Sequence, residues 1–249
     1  MEIILSHSFK GGSGKTTISV NFAKLLASKG KVLLLEADFK MPSLHHMFPE
    51  IETEVFFNDY LNGTHTLTEV TNSIERDGQR FDIVFVNKKF IPSEKIHSSD
   101  RSWFLNMRDS LFADLKRNEY NYVIFDLAPG ISFFTLTILT ISDIVLSVVR
   151  PDFQSVKGME MLLENFYKRA ISSLAVQFHL IFNQVPNHPK MQDLIADWIM
   201  AMKIKYPQIS SFSNIEYDTE VAYRSAIQEI FLPDDSNAMK KLKEIASIL

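Results

Sequence analysis

The sequence predicts an α/β protein, a single domain on one mainly parallel, twisted sheet with helices on both faces. Three observations predict it. Short β-rich runs are nearly continuous in apolar residues rather than alternating, the mark of strands covered on both faces. These runs alternate along the chain with stretches of helical period. No repeat, low-complexity tract or Pro/Gly-rich linker interrupts the 249 residues, so one domain is expected to span 1–249.

Taken in order, the first strand is Ile3 to Ser6, followed by a glycine-rich loop. Thr17 to Ser28 places Val20, Ala23, Leu26 and Ala27 on one helical face, and Gly30 stands where a left-handed helix cap is expected. Val32 to Leu35 is the second strand, and 48–80 is the expected insertion. Phe81 to Val86 and Tyr122 to Asp126 are further buried strands. Ile131 to Val149 reaches the length of a membrane span. However, Thr135, Thr137, Thr140 and Ser142 dilute it and Asp143 divides it, so a buried helix followed by a central strand, Ile144 to Val149, is the reading adopted. Val176 to Phe182 is the last strand of this kind. Lys190 to Ile204 carries Met191, Leu194, Ile195, Trp198, Ile199 and Met202 at helical spacing, read as a core-facing stripe. Ala238 to Leu249 gathers Met239, Leu242, Ile245, Ala246 and Leu249 on one face, read as a helix docked on the sheet, with a membrane surface as the alternative.

Composition removes several function classes. With 26 Lys+Arg against 30 Asp+Glu the net charge is −4, so any polyanion-binding surface has to be local. Zero cysteines exclude disulfide frameworks, thiolate zinc sites, cysteine-ligated iron–sulfur clusters and cysteine nucleophiles. The opening MEIILSHSFKGG has an acid where a secretory signal needs positive charge, so a cytoplasmic location is expected. His45 and His46, neighbours that would point about 100° apart on a helix, are read as surface or packing residues. The sequon Asn62-Gly63-Thr64 is read as accidental.

The residues that carry chemistry are Lys10-Gly11-Gly12-Ser13-Gly14-Lys15-Thr16-Thr17, directly after a strand and opening a helix. Glycines at 11, 12 and 14 let successive N–H groups turn inward around phosphate oxygens, and the helix start aims its dipole at the same anion. Lys15 reaches the β and γ phosphates, the Thr16 hydroxyl ligates Mg²⁺, and Thr17 adds a hydroxyl near the α phosphate. Two buried strands end in acids: Val32-Leu33-Leu34-Leu35 runs into Glu36 and Asp38, and Tyr122-Val123-Ile124-Phe125 into Asp126. Ligands of open α/β sheets gather at such carboxyl ends.

The loop departs from G-x-x-x-x-G-K-[ST], since its first glycine falls on Phe9 and a second lysine, Lys10, follows. In this form it resembles the deviant Walker A loop of the ParA/MinD family of P-loop ATPases. The resemblance implies a P-loop NTPase fold and an ATPase dependent on ATP and Mg²⁺, slow and stimulated by an activating partner. It further implies a homodimer in the ATP state and a monomer in the ADP state, switching in chromosome or plasmid partitioning or in division-site placement. Lys10 would cross the dimer interface to the partner's nucleotide. Asp38, matching the second acid of a D-x-D switch element, would position the attacking water, and Thr16, Asp38 and Asp126 would surround the metal. Glu36 stands where that element usually has aspartate. The segment Asp126-Leu127-Ala128-Pro129-Gly130 looks like the Walker B region with Ala128 for a proline, bringing Gly130 backbone near the γ phosphate. Asn183 would face the adenine edge.

The missing cysteines exclude the iron–sulfur branches of that family, and a single loop excludes the doubled arsenical pumps. EADFKMPSLHHMF, from Glu36 to Phe48, is also similar to a segment of bacterial tyrosine kinases, but their tyrosine-rich tail is missing, as 236–249 holds no tyrosine. The kinase stands as one alternative and a slow-hydrolysing nucleotide-binding adaptor as another. Whether DNA or membrane is the binding surface stays open.

Overall fold

The computed structural model describes residues 1–87 and 101–248. Eight strands form one sheet in the order β3-β4-β2-β5-β1-β6-β7-β8. They are β1 (Glu2–His7), β2 (Val32–Ala37), β3 (Thr71–Arg76), β4 (Gln79–Val84), β5 (Tyr122–Leu127), β6 (Ile144–Val149), β7 (Gln177–Val185) and β8 (Ser211–Glu216). All pairings are parallel except β3 with β4. The helices are α1 (Lys15–Leu26), α2 (Leu44–Met47), α3 (Phe57–Leu61), α4 (Arg101–Arg117), α5 (Phe133–Leu139), α6 (Phe153–Leu162), α7 (Lys168–Leu174), α8 (Pro189–Lys205), α9 (Thr219–Ala226) and α10 (Asn237–Ile248). A π-helical turn, Leu163–Tyr167, joins α6 to α7.

The pleat explains the continuous apolar runs. Along β2 and β5, Leu33, Leu35, Val123 and Phe125 enter one core with α4 and α6, while Val32, Leu34 and Ile124 enter the other with α1 and α10. The Ile131 to Val149 stretch is α5 plus β6, and among the described residues no helix is long and apolar enough to cross a membrane. On α10, Met239, Leu242, Ile245 and Ala246 are buried against α1 and the sheet, whereas Leu249 lies outside the described residues.

One expectation is corrected. Gly30 is not left-handed; it is small because a Cβ there would meet Asn121 Oδ1 at 2.6 Å. The stripe on α8 faces the core: Ile195 and Met202 are buried and Met191, Trp198 and Ile199 pack against the same cluster, while Leu194 at its margin is 39% exposed, since α8 covers the sheet near its edge. Within the stretch 48–80 lie α3 and the edge strand β3, which is hairpinned to β4 through Asp77 and Gly78, both at positive φ.

Candidate functional site: a phosphate loop at the carboxyl edge of the sheet

The connections diverge about β1: the chain leaves β1 through α1 toward β2 on one side, and leaves β5 through α5 toward β6 on the other, and a ligand crevice opens at such a reversal. Residues 8–14 leave β1 there and enter α1 through Gly14 at φ 85°. No side chain caps that helix, so its first N–H groups are left to an anion. A Cβ on Gly14 would stand 2.2 Å from Asn183 Nδ2, so crowding and backbone angle both require glycine. Ser13 Oγ is buried without a hydrogen-bond partner, a further polar group turned to the loop's interior. Gly11, Gly12 and Lys10 are exposed, and the Lys10 ammonium donates to the Gln154 side chain.

Strand register sets the acids side by side: Asp126 on β5 is level with Ser6 of β1 and Glu36 of β2. The Asp126 carboxylate accepts from Lys15 Nζ at 2.8 Å, Thr16 Oγ1 at 2.8 Å and Ser19 Oγ at 3.0 Å. Lys15 and Asp126 are 7% and 2% exposed, so each neutralises a charge that would otherwise be stranded in low dielectric. A hydroxyl and a carboxylate this close are hard oxygen donors of the kind Mg²⁺ takes when phosphates and water complete its shell. Among the described residues no three acids or histidines converge, which leaves the phosphates and water as the remaining ligands such an ion would need.

Glu36 behaves differently from Asp126. Its Oε1 accepts from the Ser43 and Leu44 N–H groups at 2.6 and 2.8 Å, and Oε2 from Val86 N–H at 3.0 Å, tying β2 to α2 and to the end of β4. Burial pushes its pKa up to about 7. Asp38, half-buried, accepts from the Lys40 and Met41 N–H groups at 3.1 and 2.9 Å, which shapes the loop after β2.

Gly130, at φ 77°, is held to the phosphate-loop strand: its N–H donates to the Ser8 carbonyl at 2.9 Å and its carbonyl meets His7 Nε2 at 2.5 Å. Asn183 stands over the loop rather than in open space, its Nδ2 donating to the Ser13 carbonyl at 2.7 Å, with Gln184 reaching the Gly12 carbonyl at 3.3 Å. Beside them a cavity of about 310 Å³ runs from Gly14 and Thr17 to Tyr217 and Asp218 after β8, large enough for a nucleoside. A cavity of about 370 Å³ near Lys31 and Tyr120 lies at the amino ends of the strands, away from this chemistry. His45 packs its ring on Phe56 and Phe85, with His46 beside it. Sequence reasoning missed His7, Ser19, Gln154 and Gln184; only Ser19, four residues past Lys15 on the same helix face, left a local signal.

An uncapped helix start behind a glycine loop, a lysine on a strand-end acid and a nucleoside-sized cavity define a P-loop nucleotide-binding protein. The AAA domain family model matches residues 1–177, and the chain belongs to this family, as a P-loop ATPase of the ParA/MinD type. It is 25% identical over 218 residues to an uncharacterised protein of Methanocaldococcus jannaschii, covering 84% of this chain and 82% of that one. It is 27% identical over 164 residues to a ParA family protein of Chlamydia muridarum, covering 65% of this chain and 64% of that one. In fold it is similar to Cyanothece McdA in complex with ATP, with a TM-score of 0.76, 20% identity and coverage of 99% of this chain and 96% of that one. It is also similar to the septum site-determining protein MinD of Pyrococcus horikoshii with Mg-ADP, with a TM-score of 0.70, 16% identity and coverage of 99% and 95%.

Proposed function

We propose that the chain is a Mg²⁺-dependent ATP hydrolase that acts as an ATP-driven dimerisation switch in partitioning or division-site placement. The observation that carries this reading is the face around the phosphate loop. Met41 after β2, Phe133 after β5 and Phe153 after β6 are 67%, 49% and 69% exposed, all at the carboxyl edge, and exposed Lys10 stands at the same edge. Three large apolar side chains around a cationic loop are costly in water and suit a second copy closing face to face.

The bound triphosphate would draw Lys15 off Asp126, since the phosphates offer that ammonium more negative charge. Asp126 and Thr16 would then hold the Mg²⁺ shell, and the ion would neutralise phosphate charge. Gly11 to Thr17 would cradle the phosphates through backbone N–H groups, and Gly130 would face the γ phosphate. Lys10 would add a cation to the partner's nucleotide once two subunits meet, and Asp38 would orient the attacking water. Asn183 would release Ser13 to meet the base in the neighbouring cavity. Turnover would be slow until an activating protein stabilises this arrangement.

The test is gel filtration with ATP and Mg²⁺. Asp38→Ala should elute as a dimer in ATP and a monomer in ADP, while Lys10→Ala binds ATP but loses at least about tenfold in turnover. Asp38→Ala remaining monomeric in saturating ATP would sink the switch, and phosphotyrosine forming on the purified chain would favour the kinase.

A further inference from the structure

The Gly130 carbonyl belongs to a chain of three hydrogen-bonded groups that links the turn after β5, the end of β1 and the π-helical turn. His7 is fully buried at the end of β1, with Nε2 on that carbonyl and Nδ1 on the Tyr167 hydroxyl. A carbonyl can only accept, so Nε2 carries the imidazole proton and Nδ1 accepts from the Tyr167 O–H. Every donor and acceptor in the chain is matched by that one tautomer. Burial holds the imidazole neutral, its pKa lowered to about 4.

Tyr167 is itself fixed. It is the last residue of the π-helical turn, is buried, and lies with its ring 4.9 Å from that of Phe178 on β7. The wider turn inserts one residue between α6 and α7, and such bulges recur where a side chain has to be re-aimed. Two more contacts bind the same helical arm to the phosphate loop. A Cβ on Gly158 of α6 would lie 1.9 Å from the Phe9 ring, so Phe9 seats where only glycine leaves room, and Gln154 receives Lys10.

We infer that His7 and Tyr167 are positioning residues for ATP hydrolysis: the hydroxyl fixes the imidazole tautomer, and the imidazole orients the Gly130 peptide beside the phosphate loop. The inference rests on the reading of Lys10 to Thr17 as an ATP site. Without the hydroxyl, the other tautomer becomes accessible and turns an Nε2 lone pair toward the carbonyl, which pushes the loop away.

Tyr167→Phe tests it against Tyr206→Phe, which removes the same atom from a hydroxyl that bonds Glu164 of the same π-helical turn at 2.9 Å. In the nucleotide-free full chain at pH 7, ring ¹⁵N shifts, assigned by loss of the signal in His7→Phe, should show the Nε2–H tautomer. An Nδ1–H ring or an imidazolium would overturn the inference. Amide exchange over 128–134 should accelerate about tenfold in Tyr167→Phe and stay at the wild-type rate in Tyr206→Phe. With ATP and Mg²⁺, Tyr167→Phe should lower kcat about tenfold with KM within about twofold, and Tyr206→Phe should change neither. Equal effects of the two variants would reduce Tyr167 to a packing residue. Wild-type protein that fails to bind ATP would refute the ATP site, while the tautomer and exchange measurements still decide the His7–Tyr167 link.

Discussion

Glu36 and His7 are both buried beside the phosphate loop, and they titrate in opposite directions. Glu36 is raised from 4.5 to about 7, so between these values the folded chain holds a proton that the unfolded chain has lost, and stability falls as pH rises. His7 is lowered from 6.5 to about 4, so there the unfolded chain holds the extra proton and stability rises with pH. Each amounts to about 3 kcal/mol, and over the shared window they offset one another. Glu36→Gln should therefore unmask His7: urea unfolding should show stability climbing by about 3 kcal/mol from pH 4 to 6.5, against a flatter wild-type profile. A Glu36→Gln profile parallel to wild type would mean that Glu36 does not titrate in this range. Sequence placed Glu36 at a strand end but could not distinguish it from Asp126, because the difference lies in partners. Asp126 meets a lysine and two hydroxyls, whereas Glu36 meets three backbone N–H groups, two of them from residues brought round by the loop after β2.

Among the elements, β1, β2, β5, β6 and β7 were legible because each is buried on both faces and so reads as an unbroken apolar run. The edge strands β3 and β8 were not. In β3 only Ile74 is buried, and β8 interleaves Ser211, Ser213 and Asn214 with its apolar residues, so neither shows that signature. The Asp77-Gly78 pair was the available sign of β3, a two-residue hairpin turn in the form strand twist favours. On α10 the amphipathic pattern was legible, but what covers it was not, since membrane and sheet impose the same period. The structure gives that face to α1 and the sheet. Leu242→Ala, at a fully buried position, should cost about 3 kcal/mol in urea unfolding, while Met200→Ser on the exposed side of α8 should stay within about 0.5 kcal/mol. A near-neutral Leu242→Ala would show that α10 is not part of the core.

For the whole molecule, what was legible followed sequence distance. The strand–loop–helix carrying Gly11 to Thr17 is one local segment, whereas Tyr167 meets His7 from 160 residues away, a pairing no spacing rule reaches. The same logic bears on which surface the ATP-bound form would use. The net charge of −4 allows only a local patch for DNA, and the apolar face of α10 is occupied within its own subunit. A membrane role for α10 would require those side chains to leave the core, losing about 1.5 to 3 kcal/mol for each large one before any lipid contact is gained. The expected outcome is that ATP-bound Asp38→Ala protein does not float with anionic vesicles in a density gradient. Flotation abolished by Lys240→Glu would show that α10 undocks and that the membrane branch is correct. Retention on duplex DNA in ATP but not ADP, weakening steeply with salt, would place the patch on the dimer, because doubling the subunits doubles the phosphate contacts and with them the slope against salt.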